Sequence, residues 1–429
     1  MQPEYERFGK GKEMTRFILT FSIALALLVS FSLQAQAVTP ATVIAKVGDP
    51  IGGGTISSLG PAFVDGNGKV GFAGAASSPT GERFIWYDTG PIFFASSANP
   101  PDVLTGHEGT MGISNTGGFN YSPSFNGQDA VYTHNGKLLA DDDPAPGMPG
   151  LFSTFNSRPR MLDDGTAVWV GGTATVLGGT TNGRAAFRCS DTSNVASCAP
   201  VLKTGDPVGG QTIGASGIDF AYDYSGNGLH HIQELILTGP AANDDRVWVD
   251  GAIIATEGMT TGGADNWAGF DSLSINNTGN YIFAADTNAA IGIDEVLTYN
   301  ATIAVREGNI VDGKTLGSAI NAASINNLNQ VAAIWTVGAL ESLFLWDDLE
   351  TSPLGGLSLL TTGDTIDTNN DTFADFTISD FNASVAIAPG LDLGDDGYIY
   401  VDVDVTPIGG GSSMQAVIRL TPEPSSLVL

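Results

Sequence analysis

The sequence predicts an all-β protein, a seven-bladed β-propeller closed by pairing of its N- and C-terminal strands. Three observations lead there. A short hairpin recurs along the chain, a polar turn recurs between the hairpins, and the chain ends look like the two halves of one more hairpin. The 56 glycines suit many short strands joined by tight turns, and no segment after residue 37 shows helical periodicity over a useful length.

The hairpin is plainest in residues 246–258 (RVWVDGAIIATEG), two arms around Asp250-Gly251. Asp-Gly tolerates the positive φ angles of a tight turn. Related copies occupy residues 84–95, 130–141 (with Asn135-Gly136 at the turn) and 296–308, and copies with stretched turns occupy 186–206 and 344–364. Residues 42–50 (TVIAKVGDP) read as a second arm lacking a first, and 415–420 (QAVIRL) as a first arm lacking a second. Trp86, Tyr132, Phe187, Trp248, Tyr299, Trp346 and then Val417 mark the repeat. Between hairpins come the turns Asp65-Gly66-Asn67-Gly68, Asp163-Asp164-Gly165, Ser225-Gly226-Asn227-Gly228, Asn276-Asn277-Thr278-Gly279, Asn326-Asn327-Leu328-Asn329 and Gly394-Asp395-Asp396-Gly397. Each leads into a strand of alternating apolar residues, giving about four strands per unit. Unit two is the least regular, with Thr116-Gly117-Gly118 where the turn belongs.

Residues 1–37 read as an export signal: Arg7, Lys10, Lys12 and Arg16 precede an apolar run, and Ala35-Gln36-Ala37 is an A-x-A cleavage site. Residues 38–421 are then the propeller and 422–429 a tail, with no membrane span left after cleavage. The net charge of −29 repels phosphate backbones, so nucleic acid is not an expected partner. Cys189 and Cys198 flank the stretched turn of one hairpin, and an exported chain meets an oxidising environment, so a disulfide is expected there.

No H-E-x-x-H, G-x-S-x-G or P-loop motif is present. The four histidines, His107, His134, His230 and His231, read as structural. Asp367, Asn369, Asp371 and Asp375 match the start and ninth position of a calcium loop, making Ca²⁺ the one cofactor the sequence suggests. Thr372 stands where the loop glycine belongs and Ile378 where the bidentate acid belongs, departures that favour an ordinary Asp/Asn-rich loop. In residues 398–405 the side chains of Tyr398, Tyr400, Asp402 and Asp404 share one strand face, expected to be wet, with a cation-holding channel as the sharper alternative. Trp267 is a candidate for stacking on a sugar ring.

The chain ends in TPEPSSLVL, in which Pro422, Glu423 and Pro424 are followed by Ser425-Ser426-Leu427. This resembles the opening of a PEP-CTERM sorting signal, found on exported proteins of Gram-negative environmental bacteria. The resemblance implies processing by an exosortase, secretion to the outer surface or extracellular matrix, and an association with exopolysaccharide and biofilm. In that family an apolar segment and a basic cluster follow; here Leu429 is the last residue, so the anchor is expected to be truncated or lost. The repeats, with T-G-D-P-x-x-G and N-N-x-G-x-V-x-F character, also resemble repeat regions of proteins carrying this tag. The expected function is a non-enzymatic surface or matrix propeller that binds or scaffolds extracellular polysaccharide. The alternative is a carbohydrate-active hydrolase or lyase using carboxylates on one propeller face.

Overall fold

The computed structural model describes residues 38–78, 81–97, 104–105, 111–125, 128–155, 159–176, 182–240, 243–383 and 390–421. The expected export signal, His107 and the Pro422-Glu423-Pro424 tail lie outside them. Among the described residues the chain is all-β, with two single-turn 3₁₀ segments, Ala95–Ser97 and Val195–Ser197, and no α-helix. It has a β-propeller arrangement. Six sheets are each built from one contiguous stretch, residues 50–94, 104–140, 151–203, 207–256, 267–306 and 320–361, here blades 1 to 6. A further six-stranded sheet, here the terminal sheet, combines Thr39–Lys46 with strands between Thr365 and Leu420. In it Thr39–Lys46 runs antiparallel to Met414–Leu420, with Ala41 opposite Leu420, Val43 opposite Ile418 and Lys46 opposite Ala416.

The recurrent hairpins are the two outermost strands of each blade. At the tip of blade 4, Asp250 and Gly251 have φ of 48° and 98°; at that of blade 5, Asn300 and Ala301 have 47° and 62°. Blade 2 departs from the sequence reading. Thr133 pairs with Gly136, so His134 and Asn135 form the loop and the glycine already belongs to the second arm. Every hairpin carries one extra residue on its second arm: Ile92, Leu138, Val201, Ile254, Ala304 and Leu359. The terminal sheet has the same bulge at Ile44, opposite Val417 and Ile418. A bulge raises the local twist and blunts an edge strand that would otherwise template aggregation. The bulge also corrects the aromatic register. Trp86, Tyr132, Phe187 and Trp248 lie beside it, but Thr298 and Phe344, not Tyr299 and Trp346, are their counterparts.

The polar turns form one family. In each, the fourth residue donates its N–H to the first residue's carbonyl: Gly68 to Asp65, Gly117 to Ser114, Gly165 to Leu162, Gly228 to Ser225, Gly279 to Asn276, Asn329 to Asn326 and Gly397 to Gly394. That fourth residue is left-handed, with φ from 64° at Asn329 to 83° at Gly165, which is why glycine or asparagine stands there. Unit two keeps the turn after all, with Ser114 as its first residue.

Apolar side chains fill the spaces between sheets. One cluster joins blade 1 to blade 2 through Ile85, Phe119 and Tyr132, and others join blades 5 and 6 through Val305 and Trp335. The terminal sheet packs on both neighbours, on blade 6 through Ile366 and Leu360 and on blade 1 through Tyr400, Val417 and Phe72. Each such fully buried side chain contributes roughly 1.5–3 kcal/mol. Tyr400 and Asp402 are 3% and 2% exposed, so the strand face expected to be wet is instead the seam with blade 1.

Polar side chains pin these seams. Gln415 accepts from Leu59 N (3.0 Å) and donates to Leu59 O (2.9 Å) across the seam between the terminal sheet and blade 1. Glu295 Oε1 accepts from Ile320 N (3.3 Å), and Arg184 Nη1 donates to Ile218 O (3.3 Å), from corresponding places in blades 5 and 3. Gln415 also donates to Asp402 Oδ2 (2.9 Å), while Asn382 donates to Oδ1 (3.2 Å). Burial pushes the Asp402 carboxyl up to about 7, helped by Asp404 and opposed by the Gln415 and Asn382 bonds. Burial, then Asp286 and Asp271, push Glu295 up to about 9. Both groups bind a proton more tightly folded than unfolded. Their linkage therefore lowers stability as pH rises, from about 4 to 7 for Asp402 and from about 4.5 to 9 for Glu295. Thermal melts are expected to give a higher Tm at pH 5 than at pH 8. Asp402→Asn is expected to gain on the order of 2 kcal/mol at pH 8 and little at pH 4.

Candidate functional site

The polar turns and the strand residues before them gather around a chamber of about 80 Å³ on the propeller axis. Two residues before each turn, in chain order, stand Phe63, Gly112, Arg160, Asp223, Ser274, Ser324 and Asp392. Four of them accept from the backbone of the next sheet. Asp223 Oδ2 takes Ile275 N (3.1 Å), Ser274 Oγ takes Ile325 N (3.3 Å), Ser324 Oγ takes Leu393 N (3.3 Å), and Asp392 Oδ2 takes Val64 N (2.8 Å). The serines donate as well, Ser274 back to Asp223 and Ser324 onward to Asp392. A second tier runs through the turns themselves. Asn277 Oδ1 accepts from Asn227 N, Asn327 Oδ1 from Asn277 N, and Asp395 from both Asn327 N and Nδ2.

The pattern changes over blades 1 to 3. Gly112 stands where an acceptor would be, and a Cβ there would lie 2.3 Å from Met161 N, so the two backbones touch. Arg160 donates where its counterparts accept, with Nη2 2.9 Å from Asp223 Oδ1. It sits deep in the molecule yet keeps 20% of its side chain accessible, on the chamber it lines. Asp163 lies between Gly66 and Gly226, where a Cβ would come within 3.1 and 3.0 Å of its oxygens. Burial raises its carboxyl above the usual range, followed by Asp65, Asp395 and Asp164, with Arg160 opposing.

Chemically the chamber is small, polar and committed. Its volume suits a few water molecules and not a sugar ring. The oxygens of Asp223 and Asp392 are taken up by neighbouring blades, so they are not a free acid–base pair set across a glycosidic bond. A larger cleft, about 360 Å³, opens between the polar turns and the hairpin tips of blades 2 and 3, beside the joined Cys189 and Cys198.

The structure distributes the sequence candidates as follows. The expected disulfide is formed and clips a nine-residue step of blade 3. Asp367 spends its carboxylate on the amides of Asn369, Asn370 and Thr372, and Asp375 accepts from Thr368 and Asn369. Asp371 turns away and accepts from Phe373 N. Among the described residues no group of three or more His, Cys, Asp or Glu is disposed to hold a metal ion. His134 is exposed at a hairpin tip, His230 bonds Asp250 (2.7 Å), and His231 is buried, stacked 3.9 Å from Tyr224. Trp267 is 4% exposed and packs on Phe270 and Phe283, so it offers no sugar platform. Arg160, Asp163, Asp223 and Asp392 escaped the sequence reading. The available signal was a lone arginine at a position where four of the other six units carry Ser or Asp. Arg160→Met strands Asp223, 2% exposed, without its cation. Chemical denaturation is expected to show a loss of about 3 kcal/mol, with Asp223→Ser in the same background recovering part of it.

No family model and no curated protein matches this chain. Among solved structures it is similar to U3-55K, at 11% identity over 89% of this chain and 99% of that one, with a TM-score of 0.42. A Dyadobacter fermentans protein of unknown function is similar at 12% identity over 89% and 99%, with a TM-score of 0.38. A Penicillium chrysogenum α-L-arabinanase is similar at 11% identity over 88% and 97%, with a TM-score of 0.35.

Proposed function

We propose that this chain is an exported, non-catalytic seven-bladed propeller that binds neutral extracellular polysaccharide, its seventh blade shared by the two chain ends. The blade count is supported by the terminal sheet's repetition of the hairpin bulge at Ile44 and of the polar turn at Gly394. The observation that carries the non-catalytic reading is the commitment of the Asp223 and Asp392 oxygens to the next sheet's amides. A catalytic carboxyl must be free to exchange a proton with substrate; these two hold the ring together. Export is supported by the leader sequence and by the disulfide, and the Pro422-Glu423-Pro424 tail stands as a sorting tag read by an exosortase. A surface of net charge −29 repels anionic polymers, which points to uncharged glycans.

The test is retention of the purified protein on immobilised neutral polysaccharides, alongside an assay for reducing ends or unsaturated products. Retention without product release is the expected outcome; turnover abolished by a single axial Asp substitution would establish the carbohydrate-active alternative instead. The Asp367–Asp375 loop is held by its own amides, so Tm in calcium and in chelator is expected to agree within about 1 °C.

A further inference from the structure

The cleft between blades 2 and 3 has a construction found nowhere else among the described hairpins. Its outer wall is the loop that Cys189 and Cys198 close, which reaches across to the neighbouring blade. Two bonds pin it there: Thr133 Oγ1 donates to Thr192 O (3.2 Å), and Asn135 Nδ2 donates to Thr192 Oγ1 (2.8 Å). The opposite wall is the Ser114–Gly118 turn. Its Gly118 lies under the His134 ring, with a Cβ there only 3.2 Å from the ring carbon Cε1. A side chain at Gly118 would push His134 out into the opening.

The lining chemistry narrows the occupant. Asp191 is the only acid and no Lys or Arg takes part, so neither an anion nor a multivalent cation is favoured. Every lining residue lies in a turn or loop, so there is no open strand edge for a peptide to extend. What remains is a set of short hydroxyls, exposed backbone, one carboxylate and one flat ring. Asp191 Oδ1 accepts from Ser193 N (2.9 Å) and Ser193 Oγ (2.6 Å), leaving Oδ2 without a partner among the described residues. His134 Nε2 meets Asn135 Nδ2 (3.2 Å), and Nδ1 is likewise left over. A carboxylate oxygen accepts vicinal hydroxyls, an imidazole can donate or accept, and its face can lie on the C–H side of a pyranose. The volume, about 360 Å³, falls at the small end of ligand sites, near 300–1,000 Å³.

We infer that this cleft is a binding subsite for a neutral sugar unit of a polysaccharide, with Asp191 and His134 as its polar contacts and the disulfide loop as its fixed wall. The inference rests on the glycan-binding reading above and assigns that reading a place. The experiment is calorimetric titration of the full mature chain with neutral gluco-, manno- and galacto-oligosaccharides, with an oligouronate as the charged probe. Asp191→Asn and His134→Ala are each expected to weaken binding of the preferred neutral oligosaccharide at least tenfold. Neither should lower Tm, since Asn still accepts from Ser193 and His134 is exposed. The Cys189→Ser/Cys198→Ser double variant should weaken binding too, through loss of the wall. Unchanged affinity in both Asp191→Asn and His134→Ala overturns the subsite and leaves the glycan-binding reading intact. Absence of binding by any neutral oligosaccharide overturns both. Stronger binding of the oligouronate overturns the neutral class.

Discussion

The bond that the architecture depends on runs from a side chain on one inner strand to a backbone amide on the next sheet. Apolar packing between sheets supplies most of the free energy, but it is directionless and tolerates sliding. A hydrogen bond adds only about 0.5–1.5 kcal/mol net, yet an orphaned buried N–H costs about 1–3 kcal/mol. The inner-strand amides of Ile275, Ile325, Leu393 and Val64 face back toward the preceding sheet and are met there. Ser or Asp two residues before the turn meets them at one stagger alone. The stagger then sets how the turns meet at the axis, where Asn277, Asn327 and Asp395 repeat the arrangement one layer on.

Blades 1 to 3 solve the same problem by other means. Phe63 cannot accept a hydrogen bond, and it joins Met111, Ile113 and Phe119 in an apolar seam. Gly112 removes its side chain so that the chain around Met161 can press directly against it. Arg160 inverts the polarity of the clasp, which lets Asp223 be held from both sides, by a guanidinium on one and by Ser274 and Ile275 on the other. In a chain with 17 basic and 46 acidic residues, Arg160 adds a cation to an Asp223 carboxylate that already accepts from the amides of Tyr224 and Ile275.

Local chemistry was legible in the sequence, and contacts across sheets were not. Asp250-Gly251 dictates a hairpin whatever surrounds it, and the two cysteines flank a turn that folds back on itself, so both could be read directly. Tyr400 and Asp402 could not. Alternation put them on one face of a strand, but only the neighbouring blade 1 decides that this face is dry, with Tyr400 Oη bonded to Gly68 O. Trp267 misled for a different reason, since its cover comes from within its own sheet, from Phe270 on the same strand and Phe283 on the strand paired with it. Ser114-Asn115-Thr116-Gly117 differs from Asn276-Asn277-Thr278-Gly279 only in its first residue, and Ser114 takes Gly118 N on its hydroxyl as Asn276 takes Asn280 N, so this turn was legible and was placed two residues late. The axial residues were hidden more deeply: what Ser274 or Asp392 does depends on an amide 51 or 328 residues away.

The division between axis and rim follows from these constraints. A substitution at the axis breaks two seams at once, so that region has little freedom to acquire recognition. Hairpin tips carry no such duty, and loops there can lengthen without disturbing register. Two of them are stretched, and they were stabilised in opposite ways. The blade 6 tip folds onto its own sheet, with Trp346 donating to Pro353 O and Gly356 pressed against the indole. The blade 3 tip is closed by a covalent bond, which needs no apolar floor beneath it. It leans across to Thr133 and Asn135 of blade 2, and the space under that lean lies between the tip residues His134, Ser190, Asp191 and Thr192 and the polar turns at Ser114–Gly118 and Gly165.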